Sequence, residues 1–282
     1  MEKVSIGVVG LGFVGGSMYR SFQLKKCDVR GYDINKEIDS FDETIKSQIL
    51  FLCLPTIYNE EEKSYDKSCI KKVCQDLSNN NYQGIVIIKS TVEPTTTQIL
   101  TELYPSLRFV HNPEFLTAST AFEDFHNQSH IVLGRSSSAT DEDIELLKSF
   151  YNKHYPKAEI SVCNSTESES MKIFCNTFYA VKVQMFNEFY SLCEKIGSDC
   201  NYQTVKNLML KNGWINPMHT TVPGPDGMMS YGGYCFPKDT NALLQFMETK
   251  KSPREVLEAT VRERNLMRDD HTNVRLSGSK KE

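Results

Sequence analysis

The sequence predicts an α/β protein in which a doubly wound parallel sheet is followed by an all-helical domain. From Val4 to about Cys163, short β-branched runs alternate with polar or helical stretches, as in successive βαβ units. Beyond that point, apolar residues recur three or four positions apart, which indicates a long amphipathic helix. We therefore expect two domains, residues 1–163 and residues 164–282.

Six short apolar runs are the candidate strands, and their near-continuous apolar character suits parallel strands covered on both faces. They are KVSIGVVG, DVRGYD, QILFLCLP, GIVIIKST, RFVHNP and HIVLG. In the second domain, the long helix is expected to carry one apolar stripe from Met171 to Ile196. A later helix is expected to start with Ser252 as N-cap, Pro253 at its first position and Glu255 completing a capping box, and to run towards Arg268.

Composition restricts the possible partners and the compartment. The 282 residues carry a formal net charge of -4, so no broad basic field is available for nucleic acid or an anionic membrane surface. Nine scattered cysteines without a CxxC pair favour a reducing, cytoplasmic location over a disulfide scaffold. The glycine-broken N-terminus matches neither a secretory signal nor a membrane span.

The first strand leads into a glycine motif, Gly10-Leu11-Gly12-Phe13-Val14-Gly15, that opens a predicted helix. In a Rossmann-type domain the first glycine permits the tight turn, the second lets the backbone approach a pyrophosphate, and the third allows close packing of helix and strand. Asp33 ends the second strand roughly 20 residues later, where an acid accepts hydrogen bonds from the adenosine ribose. Because an aspartate there would repel the extra phosphate of NADP, we expect NAD as the cofactor.

One cysteine stands in an unusual setting, the stretch MSYGGYCFPKDT. Gly232 and Gly233 precede Cys235 and would let a substrate approach the backbone, while Lys238 and Asp239 follow within one helical turn and could tune a thiolate. Cys235 is therefore either a nucleophile or a small buried apolar residue, and its neighbours alone leave both readings open.

The long helix offers a second candidate pair. Lys172 and Asn176 are four residues apart and so lie on one helix face, where a cation and an amide can stabilise an oxyanion and orient a water. A solvated lysine with an incidental asparagine is the other reading. His126 and His130 are also four apart, but no carboxylate or cysteine ligand set accompanies them, so no metal site is expected.

Seven segments resemble, in order, the UDP-glucose/GDP-mannose dehydrogenase family. They are GLGFVGGS, GYDIN, LCLPT, IKSTV, NPEFL, MKIFCNTFYAVKVQMFNE and YGGYCFPKDTNAL. The resemblance implies oxidation of the C6 alcohol of a nucleotide sugar, UDP-glucose first among them, to a carboxylate with reduction of two NAD. It also implies a covalent intermediate on Cys235 and a homodimer formed through the helical domain.

The resemblance assigns roles to individual positions of this chain. Catalytic roles would fall to Cys235, Lys172, Asn176, Asp239, Glu114 and Thr91. Cofactor contacts would come from Gly10, Gly12, Phe13, Val14, Gly15, Asp33, Pro55, Thr56, Ser90, Thr91 and Lys238. Substrate contacts would come from Glu114, Phe115, Leu116, Lys172, Asn176, Tyr231, Gly232 and Gly233.

Two departures from the family pattern affect the expected function. Ala118 occupies the position of a second glutamate in PEFLTAST, so a water or proton role there is missing. The family's third domain, which holds much of the nucleotide, is not found in the sequence, so we expect a shortened form. The Pro- and Gly-rich segment INPMHTTVPGPDGMM is either a substitute lid or an exposed loop.

Two other functions fit parts of the pattern. A two-domain β-hydroxyacid dehydrogenase also combines a Rossmann domain, a helical domain and a helix Lys and Asn spaced by four, but it needs no cysteine. A non-catalytic NAD-binding protein would explain Ala118 and the missing domain. The presence of Lys172, Asn176, Cys235 and Asp239 in one chain favours the four-electron dehydrogenase.

Overall fold

The computed structural model describes residues 4–268 and 270, which contain nine strands and ten helices. The strands are β1 Ser5–Val9, β2 Asp28–Tyr32, β3 Ile49–Leu52, β4 Tyr58–Asn59, β5 Ser64–Tyr65, β6 Ile85–Ile88, β7 Arg108–His111, β8 His130–Arg135 and β9 Glu159–Asn164. The helices are α1 Phe13–Leu24, α2 Phe41–Thr44, α3 Ser68–Asn79, α4 Thr96–Leu103, α5 Ala121–His126, α6 Asp141–His154, α7 Ser165–Ile196, α8 Tyr202–Leu210, α9 Phe236–Thr249 and α10 Glu255–Met267.

The described chain forms two compact units. The first comprises the described residues through Ile57 together with Tyr65–Lys172, and the second comprises Tyr58–Ser64 and the described residues from Ile173 onward. The division falls inside α7 rather than at residue 163, because the first turns of α7 are bonded to the sheet unit. Ser168 Oγ lies 2.7 Å from His111 Nδ1, and Glu169 accepts hydrogen bonds from Thr97.

A seven-stranded sheet, in the order β2-β1-β3-β6-β7-β8-β9, is the centre of the first unit. β2, β1, β3, β6 and β7 are mutually parallel, and the order reverses between β1 and β3. Ligands of open α/β sheets bind at such a switch point, beyond the carboxyl ends of the strands. The doubly wound parallel sheet expected from the sequence is thus confirmed for its main part.

The apolar runs form strands because both of their faces are covered. In β3, Ile49 and Phe51 belong to one buried cluster, whereas Leu50 and Leu52 belong to the other. Successive side chains of a strand point to opposite faces, so a strand buried on both sides needs an unbroken apolar run. All four of these side chains are fully buried.

The sheet also contains parts that the strand predictions missed. β9 pairs in parallel with β8 at the sheet edge, and its alternating, half-exposed residues lack the continuous apolar run of an internal strand. β8 runs antiparallel to β7, with which it shares only the pairs Val110–Arg135 and His111–Gly134. The sheet is therefore mixed rather than wholly parallel. Outside this sheet, β4 and β5 form a separate two-stranded sheet, and strands of two residues were likewise too short to recognise.

The second unit is helical, as expected, but its last helix starts later than predicted. α10 begins at Glu255 with Arg254 as N-cap and no side-chain capping bond. The backbone N–H of Ser252 instead donates to Met247 O at 2.9 Å, which closes the end of α9. Ser252 and Pro253 therefore belong to the α9–α10 connection, and the predicted capping box is wrong.

The long helix α7 exists, yet its apolar stripe is only partly buried. Phe174 and Phe178 are 54% and 65% exposed, and Met185 and Leu192 are also exposed. Among the described residues, none of the helices combines the length and the apolar character that a bilayer crossing requires. Within the described residues, these four side chains of α7 are therefore exposed on the surface of the second unit.

Candidate active site

The glycine loop after β1 is shaped to hold a dinucleotide. Gly10 has φ +88°, and a Cβ there would collide with the carbonyl of Cys53. A Cβ at Gly12 would meet no atom within 4 Å, so open space lies where a pyrophosphate approaches the backbone. Gly12 is also the N-cap of α1 and offers no side-chain cap, which leaves the helix N-terminus to an anion. The loop therefore fits the phosphates of NAD.

The acid that ends β2 lies beside this loop. Asp33 Oδ2 accepts a hydrogen bond from Leu11 N at 2.7 Å, and Oδ1 accepts from Asn35 N at 2.9 Å. Both bonds fix the carboxylate at the carboxyl edge of the sheet, next to the glycine loop. Phe13 and Val14, also expected at the cofactor, begin α1 there, and Phe13 is largely exposed.

The loops after β3 and β6 are joined to each other by side chains. Ser90 Oγ donates to Leu54 O at 2.7 Å and accepts from Leu54 N at 3.0 Å, while Thr56 Oγ1 donates to Thr91 O at 2.8 Å. The structure thus brings together the predicted cofactor residues Pro55, Thr56, Ser90 and Thr91 at one edge. Thr56 and Ser90 are nearly buried, so the bonds between the two loops are shielded from water.

Glu114 and Lys172 form a buried ion pair in the first unit. Lys172 Nζ lies 3.2 Å from Glu114 Oε1, and the two side chains are only 5% and 9% exposed. Glu114 Oε2 also accepts from Leu116 N at 2.6 Å, and the ammonium lies 5.4 Å from the ring centroid of Phe115. Four of the predicted residues therefore meet around one buried ion pair. Ala118, in contrast, is exposed.

The cysteine of the second unit stands at the start of a helix. Cys235 is the half-buried N-cap of α9, with a proline in the helix's first turn. The partial positive charge of a helix N-terminus favours a thiolate. Burial would lower the pKa of Lys238, but Asp239 and Cys235 outweigh it and raise that pKa, so an ammonium stands within electrostatic reach of the thiol.

Asp239 ties two further predicted residues together. Its fully buried carboxylate receives Lys238 Nζ on Oδ1 at 2.5 Å and Asn176 Nδ2 on Oδ2 at 2.6 Å. The acid therefore fixes the orientation of the Asn176 amide, one helical turn after Lys172 on α7. The resulting set is a thiol, a cation, an amide and a carboxylate.

Two buried arginines hold the loop that precedes the cysteine, and the sequence analysis missed both as site residues. Arg268 Nη1 donates to Met229 O at 3.1 Å and Ser230 O at 3.3 Å, and Arg264 Nε donates to Tyr231 O at 3.2 Å. Both guanidinium groups are almost completely buried. Arg268 also covers Gly232, whereas Gly233, with φ +77°, faces open space. A charged helical pattern alone gave no signal that these two arginines point inward.

The Pro- and Gly-rich segment before the cysteine is held by side chains rather than left loose. Tyr202 OH donates to Thr220 O at 2.7 Å, and Asp226 forms an ion pair with Arg268 at 2.6 Å. His219, with φ +65°, stacks on Tyr179 with ring centroids 5.0 Å apart and meets Phe236, next to Cys235, edge-on. The segment is an organised part of the second unit.

The fold and these residues indicate an NAD-binding dehydrogenase: a doubly wound sheet with this glycine loop is followed by helices that carry a lysine, an asparagine and a cysteine. Comparison with known proteins makes the assignment specific. The NAD binding domain of the UDP-glucose/GDP-mannose dehydrogenase family matches residues 38–155, and the family's central domain matches residues 166–265. The chain belongs to this family, and its cofactor is NAD.

Individual relatives agree with the family assignment. The chain is 32% identical over 195 residues to the UDP-glucose 6-dehydrogenase of Campylobacter jejuni, covering 68% of this chain and 47% of that protein. It is 33% identical over 209 residues to the enzyme of that name from Rickettsia bellii, covering 72% of this chain and 45% of that protein. The chain therefore spans about half the length of the curated relatives it matches.

Solved structures share the fold. A UDP-glucose dehydrogenase from Pyrobaculum islandicum superposes with a TM-score of 0.82 at 23% identity, over 94% of this chain and 68% of that chain. A 3-hydroxyisobutyrate dehydrogenase from Mycobacterium tuberculosis superposes with a TM-score of 0.74 at 15% identity, over 96% of both chains. At these identities the likeness concerns the fold alone.

Proposed function

We propose that this protein oxidises the C6 alcohol of a nucleotide sugar, UDP-glucose first among them, to the carboxylate in two NAD-dependent steps. The observation that supports this most is the Cys235 neighbourhood, in which one helix start carries a thiol, Lys238 and Asp239, and Asp239 binds Asn176. An alcohol oxidation that stops at the carbonyl needs no such thiol, whereas oxidation of an aldehyde to an acid proceeds well through a thioester.

The proposed reaction consists of two oxidations at C6 of the bound sugar, followed by hydrolysis of a thioester. NAD supplies the hydride acceptor for both oxidations. After the first oxidation, the Cys235 thiolate adds to the C6 aldehyde and forms a C–S bond, and the carbonyl oxygen becomes an oxyanion that takes a proton to give a thiohemiacetal. Loss of a second hydride from C6 and of the hydroxyl proton leaves a thioester. Water then attacks the thioester carbonyl, the C–S bond breaks, and the products are the carboxylate, the Cys235 thiol and one proton.

The buried polar groups supply the electrostatics of these steps. Asn176 Nδ2 and Lys172 Nζ are donors one turn apart on α7, and oxyanions are stabilised by donors fixed in advance. Glu114, held by Lys172 and by Leu116 N, is the carboxylate that we assign to the water of the last step. We assign Thr91, on the loop after the neighbouring strand β6, to the same water. Ala118 supplies no carboxylate at its position, so Glu114 is the carboxylate of this segment that we assign to the water.

The stoichiometry of NADH per sugar tests this proposal. With excess NAD and limiting UDP-glucose, absorbance is expected to show two NADH formed for each sugar consumed, with UDP-glucuronate as the product. Oxidation of GDP-mannose or a UDP-N-acetylhexosamine in the same ratio would keep the reaction and change the substrate. Binding of NAD without oxidation of any nucleotide sugar would refute the proposal in favour of a non-catalytic NAD-binding protein.

A single-step oxidation of a β-hydroxyacid is the second candidate, because the 3-hydroxyisobutyrate dehydrogenase matches this chain over nearly the full length of both. That reaction could also use Lys172 and Asn176, but it requires neither Cys235 nor Asp239. It predicts one NADH per molecule of substrate and full activity in the absence of the thiol. The same assay with 3-hydroxyisobutyrate therefore separates the two functions.

We further propose that two copies of the chain pair through the exposed face of α7. Phe174, Phe178 and Val181 line, with Met247 and Val256, an open apolar groove of about 800 Å³ in the second unit. An exposed patch of large apolar side chains commonly marks an interface, and one patch can cover its own copy about a two-fold axis. We place this assembly in the cytosol, which suits nine cysteines that form no disulfide bond within the described residues.

Phe178→Glu is expected to convert the dimer to a monomer at micromolar concentration, because it places a charge in the centre of the paired apolar faces. Sedimentation velocity measures the change. Leu208→Glu is the matched control, since Leu208 is similarly exposed, at 60%, but lies on α8 outside the groove. A wild-type protein that sediments as a monomer, or a dimer that persists in Phe178→Glu, would contradict the pairing.

A further inference from the structure

A buried lysine outside the predicted site lies at the carboxyl end of β6. Lys89 is 2% exposed, and its Nζ donates to Asn112 Oδ1 at 3.0 Å and to Pro113 O at 2.9 Å. Burial of an ammonium costs free energy unless its protons are hydrogen-bonded, and these two acceptors offset that cost. Both acceptors belong to the turn that follows β7.

That turn leads directly to the carboxylate of the site. Glu114 follows Pro113, and its two oxygens meet Lys172 Nζ at 3.2 Å and Leu116 N at 2.6 Å. The position of this carboxylate therefore depends on where the preceding carbonyl of Pro113 is fixed. Lys89 is the side chain that bonds this carbonyl.

Asn112 has additional support that Lys89 does not provide. Tyr151 OH donates to Asn112 Oδ1 at 2.6 Å, and Asn112 Nδ2 donates to Val132 O at 2.7 Å. Loss of Lys89 would thus leave the Asn112 side chain held by two groups while releasing the Pro113 carbonyl. Mutation can therefore distinguish the hydrogen bonds to the Asn112 side chain from the hydrogen bond to the Pro113 carbonyl.

The charge of Lys89 interacts with the neighbouring groups Cys53 and Glu114. Burial lowers the pKa of Lys89 to about 8, although Cys53 and Glu114 act in the opposite direction. Lys89 is therefore mainly an ammonium at neutral pH. The same Lys89 charge helps to lower the pKa of neighbouring His111 to about 3, after the larger effect of burial, so His111 stays neutral and adds no charge.

We propose that Lys89 is a positioning residue for the reaction: it fixes the Asn112-Pro113-Glu114 turn and so sets the geometry of the Glu114–Lys172 pair. The inference rests on the proposed function of that pair. Lys89 itself acts through the turn and touches no reacting atom. A carboxylate displaced by about 1 Å can cost on the order of 10²-fold in rate without a change in cofactor affinity.

Two variants test this role, Lys89→Met and Tyr151→Phe. Both remove one donor to Asn112 Oδ1, but Lys89→Met also releases the Pro113 carbonyl. The expected result is a kcat lowered about 10- to 100-fold in Lys89→Met with an unchanged KM for NAD, and a kcat near that of the wild type in Tyr151→Phe. Hydrogen–deuterium exchange over residues 112–118 is expected to quicken in Lys89→Met alone.

The opposite outcomes overturn the proposal. Equal losses of kcat in the two variants, or a Lys89→Met protein with normal kcat and normal exchange, would make Lys89 a structural residue only. Should Lys89→Met fail to fold, Lys89→Gln takes its place, since its amide is one bond shorter but can still donate, and a smaller loss of kcat is expected. If the wild type oxidises no nucleotide sugar, the proposed function has failed, and the exchange comparison alone decides the role of Lys89.

Discussion

Cys235→Ser is expected to lower the rate of complete oxidation of UDP-glucose by at least ~10³-fold, with no more than one NADH formed per sugar. Removal of a covalent nucleophile can cost as much as ~10⁶-fold, and a serine hydroxyl is far less ionised than a thiol at neutral pH. Two features would favour a thiolate at this position: Cys235 is the N-cap of α9, and the ammonium of Lys238 interacts electrostatically with it. A neutral hydroxyl would gain little from either feature.

The measurement is NADH per sugar under excess NAD, with the product resolved into aldehyde and acid. NAD binding, followed by fluorescence quenching, is expected to be unchanged, because the substitution leaves the glycine loop and Asp33 intact. Cys175→Ser is the matched control: Cys175 is also a half-buried thiol, located on α7, and its replacement should keep two NADH per sugar. Two NADH per sugar from Cys235→Ser would rule out the thioester route.

The parts of the first unit that were predictable from the sequence are those dictated by local chemistry. A strand buried on both faces requires a run such as Ile49–Leu52, and a dinucleotide loop requires glycine at Gly10 because of its positive φ. Asp33 was expected beside that loop because a ribose-binding acid stands at about that distance along the chain, and the structure has it bonded to Leu11 N. In each of these cases the residue type follows from a short stretch of sequence.

The parts that the sequence did not reveal depend on contacts between distant segments. Lys89 stands inside the recognised IKSTV segment, yet only the pairing of β6 with β7 brings it to Pro113. Arg264 and Arg268 belong to a charged helical pattern that favours a solvated face, but they are buried against the backbone of residues 229–231. The edge strand β9 lacks the apolar run that identifies internal strands. Such features need tertiary partners that no local pattern encodes.

Asp239→Asn is expected to lower kcat by about 10²- to 10³-fold and to reduce the free energy of unfolding by roughly 3–5 kcal/mol. The carboxylate is fully buried between two donors, Lys238 Nζ on one oxygen and Asn176 Nδ2 on the other. An asparagine must turn its own NH₂ towards one of them, so either the ammonium loses its partner or the Asn176 amide is repelled. The first effect weakens the fold, and the second misplaces an oxyanion donor.

The loss of stability and the loss of kcat can be measured separately, because kcat can be determined under conditions in which both proteins are folded. Stability is followed by urea unfolding, and kcat is measured well below the unfolding temperature, where all molecules are folded. The pKa of Lys238 is raised above its ordinary value of 10.5, so the pair's contribution is fully present below that pH and is lost only as the pH rises through the higher folded value. The stability difference between wild type and Asp239→Asn should therefore be the same at pH 6 and pH 8.

Glu248→Gln provides the control on the same helix. Glu248 pairs with Arg254 at 3.2 Å, but its side chain is 48% exposed, and an exposed ion pair contributes at most about 1 kcal/mol. Its loss should leave kcat unchanged. An Asp239→Asn protein with wild-type kcat in the folded state would limit Asp239 to stabilising α9, and the oxyanion role of Asn176 would then not depend on this carboxylate. A kcat loss in folded Asp239→Asn, absent from Glu248→Gln, would instead connect the orientation of the amide to the chemistry at Cys235.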